Sequence, residues 1–568
     1  MNRASLLTSW VVFALAVGCK KAPEPSRLHD VARPAERVLA SAGTVGPAWD
    51  ALPSGAPYVP PQCYTKTRGS DGRTHNPCFT CHVDTPPPNY IKDGSLQLGY
   101  EFGPPALENR WTNLFVDRTA QVAAISDDEI TSYVRRDNYI GLTQSLADLP
   151  AAWDRDHDGK WTGFVPDAAF YFDADGFDRS PDGKETGWRA YTYFPVPGGF
   201  WPTNGSFGDA MIRLPEVYRL DASGKPSRDA YVANLAILES LIARRDVPIP
   251  ELDERALDAD LDGNHELTRA KLVRYRWAPG GGGMTYAGKA KPLQAQLAAG
   301  LFPEGTELLH SLRYLDVQNG QVVPAARMKE LRYMRKAKWL SFGYLETQAM
   351  REAREKSESP NKRRVMLGDA EHGISNAAGW RLQAFIEDAQ GALRPQTLEE
   401  HAACIGCHSG VGATDDSVFS FSRKLAGDRR HRGWYAGDLH GIGEPTRADG
   451  EGEYSHYLAQ NGAGDELRQN DELERKFFDS QGRVRPDMVQ KLKTDVAVLL
   501  LPTAERALLL DKAYRSIVLE QSFTQGRDAT IVPAKNVHQS LPDDEQPTGV
   551  TVAVQARRAP PRFLASAR

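Results

Sequence analysis

Cys78-Phe79-Thr80-Cys81-His82 and Cys404-Ile405-Gly406-Cys407-His408 repeat one pattern, C-x-x-C-H, in distant parts of a 568-residue chain. On a helical turn residues i and i+3 face the same side, so both thiols of each pair can reach the two vinyl groups of one porphyrin. The next residue, His82 or His408, then lies beneath the iron as proximal ligand. This chemistry predicts two haem c groups, held covalently by Cys78, Cys81, Cys404 and Cys407. Zinc uses the same ligand types, but an adjacent Cys-His pair fits a tetrahedron poorly and neither motif has a second Cys pair nearby.

His75 and His401 stand three residues before the first cysteine of each motif. Each is a candidate distal ligand of the neighbouring haem, or a surface or propionate-bonding histidine. Tied to the proximal side, neither easily reaches the far face of its own haem. Met366, His372, His440, His456, His310 and Met334 are further distal candidates. Cys63 is left over and reads as a buried structural thiol.

Three acidic stretches suggest a second cofactor. Asp154, Asp156 and Asp158 form the first half of a calcium loop, D-x-D-x-D-G, with Val165 where the bidentate glutamate belongs. Asp258, Asp260 and Asp262 repeat it, with Arg269 at that place, and Asp173-Ala174-Asp175-Gly176 is a shorter fragment. Calcium at these loops would need ligands from elsewhere. Arg423, Lys424, Arg429, Arg430 and Arg432 follow the second motif and read as a solvated basic run, of which one or two could neutralise propionates. No nucleophile elbow, H-E-x-x-H or dinucleotide fingerprint is present.

The N-terminus reads as an export signal: Met1-Asn2-Arg3 is the charged start and Leu6–Val17 the apolar run, too short to span a bilayer comfortably. Leu15-Ala16-Val17-Gly18-Cys19 resembles a bacterial lipobox, which makes Cys19 the lipidated residue and the membrane a partner through a lipid anchor. Lys20 rather than Asp follows, pointing to the outer membrane. Of six cysteines, Cys19 goes to lipid and four to the motifs, so the chain spends its thiols on cofactor rather than disulfides. A net charge of −5 gives no support to a nucleic-acid partner.

The two motifs and the export signal resemble the c-type cytochrome superfamily, over those short stretches rather than the whole chain. The resemblance implies electron transfer between redox partner proteins in the cell envelope. Its alternative is a dihaem peroxidase or oxygenase with one open iron.

These residues need elements to position them. Asn76 and Pro77 can start a helix at the first motif, and Pro86-Pro87-Pro88 ends it. Thr397-Leu398-Glu399-Glu400 is a capping box leading into the second. The chain divides into a signal peptide (1–19), a tether (20–56), a first haem segment (57–149), an insert (150–340), a second haem segment (341–525) and a tail covering the surface (526–568). Ala190–Phe194, Met211–Leu214 and Leu308–Leu315 read as strands of the insert. Ser126–Val134, Asp229–Arg245, Glu346–Lys356, Gly379–Phe385, Thr397–His408 and Thr503–Gln521 read as helices. The expected class is α+β, with mainly helical, loop-rich haem segments flanking an α+β insert.

Overall fold

Asn319 and Gly320 both take positive φ, 52° and 79°. This is the two-residue turn whose twist matches the strands it joins, and it closes a long hairpin of Glu307–Gln318 with Gln321–Lys336. Around that hairpin grows the principal sheet. In chain order the strands are β1 (Asp50–Ala51), β2 (Phe177–Arg179), β3 (Glu185–Tyr191), β4 (Phe207–Arg213), β5 (Val247–Asp253), β6 (Arg269–Val273), β7 (Glu307–Gln318), β8 (Gln321–Lys336), β9 (Leu367–Asp369), β10 (Gly373–Ser375), β11 (Trp380–Glu387) and β12 (Leu393–Pro395). Ten of them form one sheet, ordered β1-β9-β10-β11-β8-β7-β4-β3-β2 with β12 also on β11, while β5 and β6 pair separately. Every pairing is antiparallel.

The computed structural model describes residues 50–51 and 59–554, except 70–71, 85, 89–92, 192–193, 281, 359–365, 420–438, 448, 463–469 and 544–545. The signal peptide with Cys19, nearly all of the tether and the arginines of 423–432 lie outside the described residues. Residues 49–568 form a single unit.

The architecture corrects the expected class, since the protein is not mainly helical. The sheet crosses the boundary expected at 340, because β8 of the insert pairs along seven positions with β11 of the second haem segment. Gly379–Phe385, expected as helix, is most of β11. That strand is buried along nearly its whole length, so it shows no polar alternation to distinguish a strand from a buried helix.

The other expected helices form as α1 (Asp127–Val134), α2 (Arg228–Ala243), α3 (Phe342–Glu358), α4 (Leu398–Ile405) and α6 (Ala504–Glu520), and among helices the sequence reading did not name is α5 (Glu453–Asn461). Ser126, Ser227, Thr397 and Thr503 cap their helices by accepting the backbone N–H three residues on. Successive residues of a strand face opposite sides, which gives the sheet two distinct layers. One face packs Ile212, Leu308, Met334 and Leu382 against α2 and against Leu398, Ala402 and Ile405 of α4. The other packs Met211, Leu309, Leu331 and Phe385 under Leu142, Leu146 and Trp188. The second motif, at the end of α4, is thereby held over the first of these faces.

Candidate cofactor-binding site

Both motifs fold into the same single turn. In the first, the Cys78 carbonyl accepts the N–H of Cys81 at 3.1 Å and of His82 at 2.8 Å. In the second, the Cys404 carbonyl accepts those of Cys407 at 3.2 Å and His408 at 3.0 Å. Pro77 opens the first turn, a 3-10 helix over Pro77–Thr80, without the side-chain cap expected of Asn76. The capping box forms in full before the second. Each histidine carbonyl is pinned by a buried side-chain amide: Gln97 Nε2 donates to His82 at 2.8 Å and Asn376 Nδ2 to His408 at 3.0 Å.

The motifs, so distant in sequence, meet at one cavity of about 620 Å³, a size proper to a cofactor pocket. Cys78, Cys81 and His82 form part of one wall, and Cys404, Cys407 and His408 part of another. Their turns are joined directly, because Ala413 N–H donates to the Cys81 carbonyl at 3.0 Å. Asp93 bridges them again, with Oδ2 lying 3.8 Å from His82 Nδ1 and accepting the Gly412 N–H. Cys63 also lines this cavity, and its thiol is raised well above the usual range by burial and then by Cys78, Cys81 and Cys407. Burial pushes Cys78 up to about 12 and Cys407 up to about 11.

The tautomer of His408 follows from its surroundings. The Ser417 carbonyl, 3.0 Å from Nδ1, can only accept, so Nδ1 carries the proton and Nε2 keeps its lone pair free for a metal. Ser417 is held in turn by its neighbour Asp416, which meets Lys336 at the end of β8 at 2.7 Å, both side chains being essentially inaccessible. Asp416 also accepts the Phe302 N–H at 3.1 Å.

The sheet supplies the floor. Register sets Ala210 of β4 beside His310 of β7, His310 beside Arg332 of β8, and Arg332 beside Ala384 of β11. All four line the cavity. Glu330 and Arg332 are charged residues on an interior face, which an apolar core would not carry without cause. Glu330 meets Arg332 at 3.0 Å and Arg527 at 2.7 Å. Burial favours protonation of Glu330, but the two guanidiniums outweigh it and bring the group down to about 2. Two cations thus share one carboxylate, and the trio keeps a positive charge at the cavity wall. Arg527 belongs to the segment read as a surface tail, yet it enters the cavity wall, and Val537 farther along bridges to Thr65.

Other residues singled out in the sequence lie elsewhere. His401 is fully buried with both ring nitrogens committed to backbone: Nδ1 donates to the Thr397 carbonyl at 2.9 Å and Nε2 accepts the Ala384 N–H at 2.8 Å. It fastens α4 to β11 and is outside the cavity lining, so distal ligation by His401 is not carried further. His75, also outside the lining, donates from Nδ1 to the Asn461 carbonyl and packs against Gly462. His372 bonds Asp369 and Thr162, and exposed His440 lies 3.9 Å from Asp495. His456 packs edge-on to Phe79 at 5.3 Å, Met366 packs against the α2 core, and Met334 does line the cavity.

Zinc-like convergence is absent among the described residues. The groups of three or more acidic, histidine or cysteine side chains with ligand atoms within 4.8 Å are Asp154, Asp156 and Asp158, and Glu254, Asp260 and Asp262. The first set matches the expected loop. In the second, Asp258 turns away to Lys291 at 2.8 Å. Buried Glu254 takes its place but already accepts the N–H groups of Leu261 and Thr268, while Arg276 lies 3.3 Å from Asp260. Part of the acceptor capacity of that second loop is thus taken up by the chain's own donors.

The geometry thus gives a sheet-floored cavity flanked by two C-x-x-C-H turns. Residues 51–495 match a family described as a "-like lipoprotein". The chain is also 30% identical over 536 residues to an uncharacterized lipoprotein of Aquifex aeolicus (strain VF5), covering 83% of this chain and 85% of the relative. No solved structure matches. The chain belongs to this lipoprotein family, and is thereby an exported, lipid-anchored protein of the cell envelope. The resemblance to the c-type cytochrome superfamily is corrected accordingly: two five-residue motifs do not define a family, and the match over most of the chain is to lipoproteins. Among the described residues no helix is long and apolar enough to cross a membrane.

Proposed function

We propose that this lipoprotein carries two covalently attached haems, one on each C-x-x-C-H turn, and passes electrons between redox partner proteins of the cell envelope. The observation that carries the reading is that two motifs remote in sequence adopt the same turn and line the same cavity. Haem, when bound, supplies one-electron chemistry. The chain's own part is to hold it. Four thiols anchor it, Nε2 of His408 and the ring of His82 are its proximal ligands, and the Arg332–Glu330–Arg527 trio draws in carboxylates. Leu308, Leu312, Met334 and Leu382 give the cavity an apolar wall, and a low dielectric lets the charge at one site act strongly on the other.

A potentiometric titration followed in the visible spectrum tests this. Two one-electron transitions are expected, separated because sites sharing a cavity titrate as a coupled pair. A single unsplit transition, or the lack of a haem spectrum, contradicts it. The outer membrane is the proposed destination, since Lys20 follows Cys19. Density-gradient separation of the two membranes is expected to place the protein with outer-membrane markers, and recovery with the inner membrane refutes this.

A further inference from the structure

The cavity contains a histidine that the paired motifs do not use. His310 is the fourth residue of β7, on the cavity face, between Ala210 of β4 and Arg332 of β8. Its Nε2 is enclosed by protein and has no hydrogen-bond partner. A buried polar nitrogen left unsatisfied costs about 1–3 kcal/mol, so its presence calls for a ligand or a function. Two neighbours hold the ring in place. Phe200 packs edge-on at 5.4 Å. Gly208, the residue of β4 diagonal to His310, leaves room for it, since a Cβ there would lie 2.5 Å from Nε2. A half-turn about Cβ–Cγ exchanges ring nitrogens with ring carbons, so the site can present a nitrogen to the cavity without moving the strand. His310 and His408 line the same cavity. Met334, the other candidate on this face, is a thioether packed with Leu308 and Leu382 and leaves no strong polar group unsatisfied.

We propose that His310 is the distal axial ligand of the haem attached at Cys404 and Cys407, completing with His408 a six-coordinate iron between the sheet and the motif turn. This rests on the haem reading above and goes beyond it by assigning the ligand that decides whether that iron is closed to exogenous ligands. The motif histidines His75 and His401 are replaced in this role by a strand residue that neither motif announces. Six-coordination by two imidazoles keeps the iron low-spin and suits electron transfer rather than binding of peroxide or oxygen.

The test uses the full-length haem-loaded protein and a Cys78→Ala/Cys81→Ala form retaining only the second haem. In the latter, the parent is expected to be low-spin and unreactive to carbon monoxide. His310→Ala should make all of its haem high-spin and reactive to carbon monoxide, with added imidazole restoring the low-spin spectrum and the covalent mass unchanged. In the two-haem protein the same change should convert half of the haem. His310→Met offers a thioether instead and covers the case in which His310→Ala does not fold: it should stay six-coordinate with a raised reduction potential. A low-spin spectrum in His310→Ala, an unaltered potential in His310→Met, or a parent that already binds carbon monoxide at this haem overturns the assignment. A chain lacking covalent haem altogether fails the proposed function instead, and mass spectrometry separates the two failures.

Discussion

Purified protein with Cys404→Ala and Cys407→Ala is expected to carry one haem instead of two, and the Cys78→Ala/Cys81→Ala protein likewise, with half of the haem absorbance lost in each. With all four cysteines changed, no covalent haem should remain. The expectation follows from the matched turns: in each, the carbonyl of the first cysteine binds the N–H groups of the second cysteine and of the histidine, so both thiols and the imidazole are organised as a unit. Because both units border one cavity, losing one haem should also shift the reduction potential of the other. Unchanged haem content in either double variant would refute the assignment of that motif, as the haem stain of a denaturing gel and the intact mass both report.

Asp416→Ala is expected to destabilise the protein by about 3–5 kcal/mol, the cost of leaving a buried charge without its partner. Lys336 has no accessible side-chain surface and meets Asp416 at 2.7 Å. Its other bond, to the Ala378 carbonyl at 3.0 Å, cannot neutralise it. The damage should extend to the site, since Asp416 precedes the Ser417 carbonyl that sets the tautomer of His408. Urea unfolding measures the first effect and the spectrum of the second haem the other. Replacing both partners, Lys336→Met with Asp416→Leu, should recover much of the stability because no charge is then stranded. A single variant within about 1 kcal/mol of the wild type would show that the pair does not hold this loop.

The motif turns were legible because C-x-x-C-H and the capping box are local patterns whose geometry is set within five residues. The cavity was not, because it depends on sheet register. Leu308–Leu315 reads ambiguously as a strand, and His310 is only one of several distal candidates along the chain. Its place in the cavity emerges only once the Asn319-Gly320 turn sets β7 against β8 and places His310 opposite Arg332. That dipeptide is a strong hairpin signal, and following it outward along both strands would have brought the two residues together. The offset of His75 and His401 pointed the other way for a physical reason. Both rings are engaged by backbone instead: His75 by the distant Asn461 carbonyl, and His401 by the Thr397 carbonyl and the Ala384 N–H. Arg527 was hidden by the loop-like composition around it, which resembles a solvated tail although the segment returns to the site. Of the acidic loops, Asp154, Asp156 and Asp158 converge as their spacing implied, whereas the second loop substitutes Glu254 for Asp258, a residue before the motif that no loop pattern includes.

The central claim is that each C-x-x-C-H turn carries a haem. The intact mass of the full-length protein, produced in a host able to attach haem covalently and measured after denaturation and acid extraction, tests it most directly. The account predicts a polypeptide heavier than its processed, lipidated sequence by two haems, with haem on the peptides containing Cys78/Cys81 and Cys404/Cys407. A mass equal to that of the processed, lipidated chain alone would contradict it.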